Sequence, residues 1–150
     1  MMEEQFPFGE ELFLSAAMIA ATVFFHAVII AATAAIFRAT SSSAWGMMRF
    51  VRDSVMLTLL SLVLMAAHLV EIAAWAFMFL NIGAFGAIEE ALYFSASAYT
   101  TLGFGDVLLP QEWRLLGGAT AADGFLLFGL SAAFLFEIAA RLRLGGERAH

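Results

Sequence analysis

Thr100-Thr101-Leu102-Gly103-Phe104-Gly105-Asp106 is a polar, glycine-punctuated loop between two segments that are long and apolar enough to cross a membrane. Irregular backbone at membrane depth finds no water for its amide and carbonyl groups, so it is tolerated only where it is buried in protein or lines a cavity. A soluble core does not require this arrangement. The stretch 100–106 therefore predicts a loop that lines a pore.

The composition places the whole chain in the membrane class. Its 150 residues are 63% hydrophobic and only 13% charged, with a mean hydropathy of +0.90, far from the soluble norm. This length fits one domain at most. The chain has no cysteine, which excludes disulfides and thiolate metal sites.

Motifs for other functions are not apparent in the sequence. We see no phosphate loop, no metal-ligand cluster and no nucleophile arrangement, so we expect neither an enzyme nor an organic cofactor. The formal net charge of −6 gives no basic footprint for nucleic acid, and no soluble partner is predicted.

Three segments meet the length requirement of about 20 apolar residues for a membrane-spanning helix. They are residues 12–37, 55–80 and 115–140. The acidic N-terminus lacks the basic start of a cleavable signal peptide, so we interpret the first span as a retained helix. The fold class expected is an all-α membrane protein with three transmembrane helices.

Arginine placement predicts the orientation in a cell (inner) membrane. The connector 38–53 and the C-terminal tail carry Arg38, Arg49, Arg52, Arg141, Arg143 and Arg148. The positive-inside rule places both segments in the cytoplasm. The N-terminus and segment 83–112 are then outside.

The connection between the second and third spans has the pattern of a re-entrant segment. Gly83 and Gly86 interrupt the second span, and residues 87–99 form a helix-compatible run too short to cross. The polar loop and Pro110 follow. Such a helix directs the negative end of its dipole toward the membrane centre, which favours a cation there.

Ala91-Leu92-Tyr93-Phe94-Ser95, followed by the stretch 100–106, resembles the pore helix and selectivity filter of the potassium channel superfamily. In that family the filter usually reads TTVGYGD. The resemblance covers residues 55–140, and the first span is an addition to the minimal two-helix unit. A helix flanking such a motif on each side makes the pattern specific.

This resemblance implies a division of the chain into three parts. Residues 1–53 comprise the N-terminal segment, the added helix and the connector. Residues 54–140 form the pore domain with its outer helix, pore helix, filter and inner helix. Residues 141–150 form a short cytoplasmic tail.

The resemblance also implies K⁺ ions in the filter and a homotetramer in the lipid bilayer. Backbone carbonyls replace the hydration shell of the ion, and they align on one side only where alternate residues adopt conformations that favour glycine, hence Gly103 and Gly105. The implied K⁺ ligands are Thr101, Leu102, Gly103 and Phe104. Thr100 and Gly105 flank them, and Asp106 concentrates cations at the outer mouth.

Some residues depart from the family pattern. Leu102 replaces valine and Phe104 replaces tyrosine, which removes a hydroxyl that can tether the filter. Ser97 stands where some bacterial members carry a glutamate. We predict instead that Tyr93 donates its hydroxyl hydrogen to Asp106. The alternative for the loop is a glycine-rich turn without conduction.

Ionisable residues inside the spans are functional candidates by default. His68 and Glu71 are three residues apart on one helix face, and His26 lies in a polar stripe of the first span. One interpretation is a pH sensor that links the added helix to the pore, which conductance that does not change with pH would exclude. The interpretation we favour is an interhelical hydrogen-bonded network that fixes packing.

The third span carries Asp123, which allows two interpretations: an acidic ring in the cavity or a buried group with a partner on the second helix or the pore helix. Aligning Arg114 with the arginine that follows the filter in bacterial members places Gly124 at the inner-helix hinge. Phe125, Phe128 and Ala132 would then face the cavity. Asp123 would point away from it, so we favour the buried partner. Gly124 could equally serve close packing.

Absent features limit the expected mechanism. Neither of the first two spans has arginines at three-residue spacing, so no voltage sensor is expected, and the tail is too short for a ligand-binding domain. Glu137 and Arg141 predict an i, i+4 salt bridge. The function expected is a tetrameric K⁺-selective channel. The alternatives are a weakly selective monovalent cation channel and a non-conducting membrane subunit of a larger assembly.

Overall fold

The computed structural model describes residues 8–40 and 47–147, without the side chains of Phe8, Thr40 and residues 143–147. Within these ranges the chain is helical apart from the segments around the filter. The long helices are α1 (Phe8–Thr40), α2 (Met47–Asn81) and α4 (Arg114–Glu147), the short helix is α3 (Ile88–Tyr99), and one 3-10 turn spans Gln111–Trp113. Ser41, Trp45, Arg148 and His150 lie outside the described residues.

The three predicted spans are confirmed as helices long and apolar enough to cross a membrane, Gly9–Ala39, Met47–Asn81 and Gln111–Leu142. Each helix continues beyond the predicted apolar run. The connector predicted at 38–53 is therefore too long, because α1 continues to Thr40 and α2 begins at Met47. Polar and basic residues at the ends of a span remain helical because their side chains reach the interface.

Contacts between side chains fix the relative directions of the long helices. On α1, Glu11, Thr22 and His26 bond to residues 115, 123 and 131 of α4 in the same order, so α1 and α4 run parallel. On α2, Trp75 and His68 bond to residues 123 and 131 in reverse order, so α2 runs antiparallel to both. The first helix therefore packs on the α2–α4 pair of its own chain.

The main hydrophobic core lies where α2, α3 and α4 meet near the loop 100–106. Trp75, Phe79, Tyr99, Leu116 and Leu127 are fully buried there. A smaller core at the opposite end joins Phe37 of α1, Leu60 of α2 and Ile138 of α4. The end of the molecule that carries the loop thus has the larger aromatic core.

Gly124 marks the closest approach of α4 to the end of α3. A Cβ atom at this position would overlap with the backbone carbonyl of Tyr99, whereas one at Gly129 would meet open space. Of the two roles considered for Gly124, the structure supports close packing, since only a residue without a side chain allows α4 to approach Tyr99.

Near the end of α4 remote from the filter, the predicted salt bridge between Glu137 and Arg141 is confirmed, with 2.7 Å between Oε1 and Nε. It is exposed in the single chain. Arg49 of α2 also donates to the backbone carbonyl of Leu142, at 2.7 Å. The guanidinium thereby satisfies a carbonyl in the last turns of α4.

Candidate functional site: the filter loop and a buried polar cluster

The short helix α3 ends where the loop 100–106 begins, and its last carbonyl groups accept hydrogen bonds from the first residues of the loop. The backbone N–H of Thr100 donates to the carbonyl of Ala96, and that of Thr101 donates to Ala98. The Thr100 hydroxyl also donates to the Ala96 carbonyl at 2.6 Å. The beginning of the loop is therefore fixed by the C-terminal carbonyls of α3, which would otherwise have no partner.

Alternate residues of the loop adopt the left-handed backbone conformation. The φ angles are +59° at Thr101, +57° at Gly103 and +77° at Gly105. Leu102 and Phe104 between them do not have positive φ, and alternation of this kind turns successive carbonyl groups toward one side of a chain. The prediction that Gly103 and Gly105 supply such conformations is confirmed, and Thr101 shares them although a β-branched residue rarely does.

Ser97 braces the loop from α3 by its backbone and its side chain. Its carbonyl accepts from the N–H of Gly103 at 3.1 Å. Its hydroxyl oxygen accepts from the N–H of Phe104 at 3.3 Å. Ser97 thus holds two successive backbone amides on the side facing α3, a role that its short side chain performs without a carboxylate.

The predicted hydrogen bond from Tyr93 to Asp106 is present, with 2.7 Å between Oη and Oδ2. The Tyr93 ring stacks on the ring of Phe104, with centroids 6.5 Å apart and planes at 14°. The hydroxyl bond from Tyr93 lowers the pKa of Asp106 below its ordinary 3.8. The same bond raises the pKa of Tyr93 above 10.0, because it favours the protonated phenol beside a carboxylate.

Two apolar side chains of the loop are largely uncovered in the single chain. Leu102 is 63% exposed and Phe104 is 66% exposed. On α4, Phe125 is 74% exposed and Ala132 is also exposed. An apolar loop and helix face of this kind is completed by a partner or by lipid.

Phe128 differs from its predicted orientation toward a cavity. Its half-buried ring packs on His68, with centroids 4.1 Å apart, and on Tyr99 at 5.6 Å. The polar rings of α2 and α3 attract Phe128 to the interior of the chain, so it does not share the exposed face of Phe125 and Ala132.

A buried polar cluster lies between the helices about halfway along α4. His26 Nδ1 lies 2.8 Å from Glu71 Oε1, and His68 Nδ1 lies 3.2 Å from Glu71 Oε2. Their exposures are 0% for His26, 3% for His68 and 1% for Glu71. The hydrogen-bonded contacts expected between these groups are present.

Two further members of the cluster were not anticipated from the sequence. Tyr99 donates its hydroxyl hydrogen to Glu71 and lies 2.9 Å from His68 Nδ1. Ser131 Oγ lies 2.9 Å from His26 Nε2 and 3.0 Å from His68 Nε2. The cluster therefore joins all three long helices to the last residue of α3. The only sequence signal for Ser131 is its polarity within an apolar span.

Asp123 is buried beside this cluster and does not face a cavity. Its Oδ2 accepts from the hydroxyl of Thr22 at 2.7 Å and from the indole N–H of Trp75 at 2.8 Å. The predicted buried partner on the second helix is confirmed as Trp75. Thr22 on α1 is an additional partner, and Oδ1 has none among the described residues.

The sequence offered no metal-ligand cluster, but the fold assembles one. His26, His68 and Glu71 each offer a ligand atom, and these atoms all lie within 4.8 Å of one another. His68 and Glu71 are three residues apart on α2, whereas His26 lies far from both in the chain. The packing of α1 on α2 brings His26 to the other two.

In a comparison with protein families, residues 65–141 match a family described as an ion channel. The matched region runs from the middle of α2 through α3 and the loop into the last turns of α4. Comparisons with curated proteins and with solved structures gave no significant match.

The family description indicates ion transport, and the three long apolar helices agree with a multi-pass membrane protein. The family match covers half of the chain and includes the loop with alternating left-handed residues. This chain therefore belongs to the ion channel family.

Proposed function

We propose that this protein is a homotetrameric potassium channel whose selectivity filter is the loop 100–106. The single observation that carries the proposal is the alternation of left-handed backbone at Thr101, Gly103 and Gly105, inside the region that matches the ion channel family. Successive carbonyls that turn to one side form a ladder of oxygens, which is what a dehydrated K⁺ ion requires.

The proposed K⁺ ligands are backbone carbonyls, with the Thr101 hydroxyl at the inner end. They belong to Thr101, Leu102, Gly103 and Phe104. Leu102 and Phe104 differ from the usual valine and tyrosine only in their side chains, so the backbone carbonyls at these positions are retained. One chain supplies one wall of the filter, so a ring of subunits is needed to surround the ion. The exposed faces of the loop and of α4 support such assembly.

We propose the inner membrane of the cell as the location, with the filter end of the helices outside. The N-terminal end of α1 lies at the filter end, because α1 runs parallel to α4. Acidic residues dominate that end, and Arg38, Arg49 and Arg141 lie at the other. This distribution follows the positive-inside rule.

Flux measurements in liposomes test the proposal directly. The purified full chain should conduct K⁺ in a barium-sensitive manner, and reversal potentials in mixed K⁺ and Na⁺ should lie near the K⁺ equilibrium potential. Gly103→Ala places a side chain at a φ of +57° where space itself is open, so the cost of the left-handed conformation alone should abolish selective flux. Gly129→Ala, also in open space but within α4, is the matched control.

Each outcome of this experiment assigns a function. Flux with a reversal potential near zero in mixed K⁺ and Na⁺ would show a weakly selective cation channel. No flux from well-folded tetramers would overturn the proposal and favour a non-conducting subunit. Equal flux from Gly103→Ala and the wild type would show that conduction does not depend on the loop 100–106.

A further inference from the structure

We propose that the buried cluster of His26, His68 and Glu71, with Tyr99 as a further oxygen ligand, binds one divalent transition-metal ion such as Zn²⁺. Two imidazoles and one carboxylate are a common ligand set for zinc. Here they come from α1 and α2, and Tyr99 is the last residue of α3. The site does not depend on which ion the filter conducts.

The ligand atoms converge on one side of the cluster. The Nδ1 atoms of His26 and His68 each face one oxygen of Glu71, at 2.8 Å and 3.2 Å. The Tyr99 hydroxyl oxygen lies 2.9 Å from Nδ1 of His68. Ligands at about 2.0–2.1 Å from a tetrahedral zinc ion are roughly 3.3 Å apart. For the two histidine–glutamate pairs, separations only a few tenths of an ångström larger would match this ligand spacing, and the Tyr99 hydroxyl would have to move further from Glu71.

The other side of the cluster supplies the supporting hydrogen bonds that a metal site needs. A metal-bound imidazole donates its remaining ring N–H to an acceptor, which fixes its orientation. Both Nε2 atoms here point at one oxygen, Ser131 Oγ, at 2.9 Å from His26 and 3.0 Å from His68. A hydroxyl oxygen can accept two such bonds. With metal on the Nδ1 side, both rings are held by Ser131.

Without a metal ion, the cluster has too few hydrogens to form a hydrogen bond at each of its short contacts. With neutral imidazoles and an ionised Glu71, each ring and each hydroxyl brings one hydrogen, fewer than the short contacts among His26, His68, Glu71, Tyr99 and Ser131 require. A cation between the Nδ1 and carboxylate atoms turns those contacts into ligand separations, which need no hydrogen. The two Nε2 hydrogens then complete the bonds to Ser131.

The charge inside the spans also favours a divalent cation. Glu71 and Asp123 are both buried carboxyl groups, and a buried charge needs a partner. The seven basic side chains of the protein are all arginines. None of them lies within residues 55–113 or 115–140, and Arg114 lies between these two segments. Two carboxylates with two neutral imidazoles balance one divalent ion.

Metal analysis of the full chain, purified in detergent with any polyhistidine tag removed, tests the site. After expression with zinc, we expect one zinc per chain by mass spectrometry. Cobalt substitution should give the visible bands of a four-coordinate ion. His68→Gln should lose the metal, and His150→Gln, which changes the histidine at the C-terminus, should keep it.

The wild-type protein gives a second, independent readout if His68→Gln does not fold. X-ray absorption should show nitrogen and oxygen ligands at about 2.0–2.1 Å with imidazole scattering. Less than about one zinc per ten chains together with no cobalt bands would overturn the proposal and leave a cluster held by protons. Full occupancy in a folded His68→Gln variant would overturn it as well.

Discussion

Thr101 is the residue whose conformation departs most from local preference. A β-branched side chain at a φ of +59° is an outlier, and such strain costs about 1–3 kcal/mol. It persists because α3 fixes the amide of Thr101 and the loop is braced by Ser97. Strain retained in a loop of an ion channel is explained if the Thr101 oxygens face the ion.

At the same scale, Tyr93→Phe should weaken the outer end of the filter. The change removes only the hydroxyl that donates to Asp106 at 2.7 Å. Because this bond lowers the pKa of Asp106, its contribution is full above the ordinary value of 3.8 and is lost as pH falls through the lower folded pKa. We expect shorter open times at neutral pH and acid inactivation that begins at a higher pH.

Single-channel recording over external pH from about 6 to 3 measures both effects. Asp106→Asn, which removes the titrating group, should abolish the pH dependence in this range. Open times and acid inactivation in Tyr93→Phe that match the wild type would mean that the hydrogen bond does not support the filter.

At the scale of helices, length and hydrophobicity were sufficient to predict the three spans and the short helix before the loop. The stretch 100–106 was also predictable, and the resemblance to potassium channels allowed the Tyr93–Asp106 bond to be predicted. Tyr99, Ser131 and the Thr22 partner of Asp123 were not. Each depends on which helix faces which, and one sequence contains no signal for that pairing.

The contact between α3 and α4 leads to a prediction for Gly124. Gly124→Ala would force α4 away from the Tyr99 carbonyl, and overpacking of this kind costs roughly 1–3 kcal/mol. Because the end of α3 positions the loop, we expect lower thermal stability and loss of flux. Gly129→Ala, which meets open space, should behave as the wild type. Normal flux in Gly124→Ala would show that the approach is not required.

The attachment of α1 is also testable at this scale. Thr22→Val keeps the shape of the side chain and removes the hydroxyl that bonds Asp123. An interhelical hydrogen bond in a membrane contributes about 1 kcal/mol, and we expect a comparable loss of stability in thermal unfolding. Thr58→Val is the control, since Thr58 donates only to Ser54 of its own helix at 2.9 Å. Equal effects of both variants would show that the bond to Asp123 stabilises nothing.

At the scale of the whole molecule, the added helix is integrated into the channel unit rather than appended to it. Its polar face carries Ser15, Thr22, His26 and Thr33, all buried. Burial of that face against α2 and α4 explains why a helix of such high hydrophobicity retains polar residues at regular intervals. The family match begins only at residue 65, so the packing of α1 could come only from the structure.

Among the described residues, polar bonds join α1 to residues 115, 123 and 131 of α4. Further along, Phe37 of α1 and Ile138 of α4 belong to one small apolar core. The first helix is therefore bonded to α4 on both sides of Gly124, whose backbone also packs against Tyr99. A bend of α4 at Gly124 would have to break these contacts, so the first helix opposes hinge motion at that glycine.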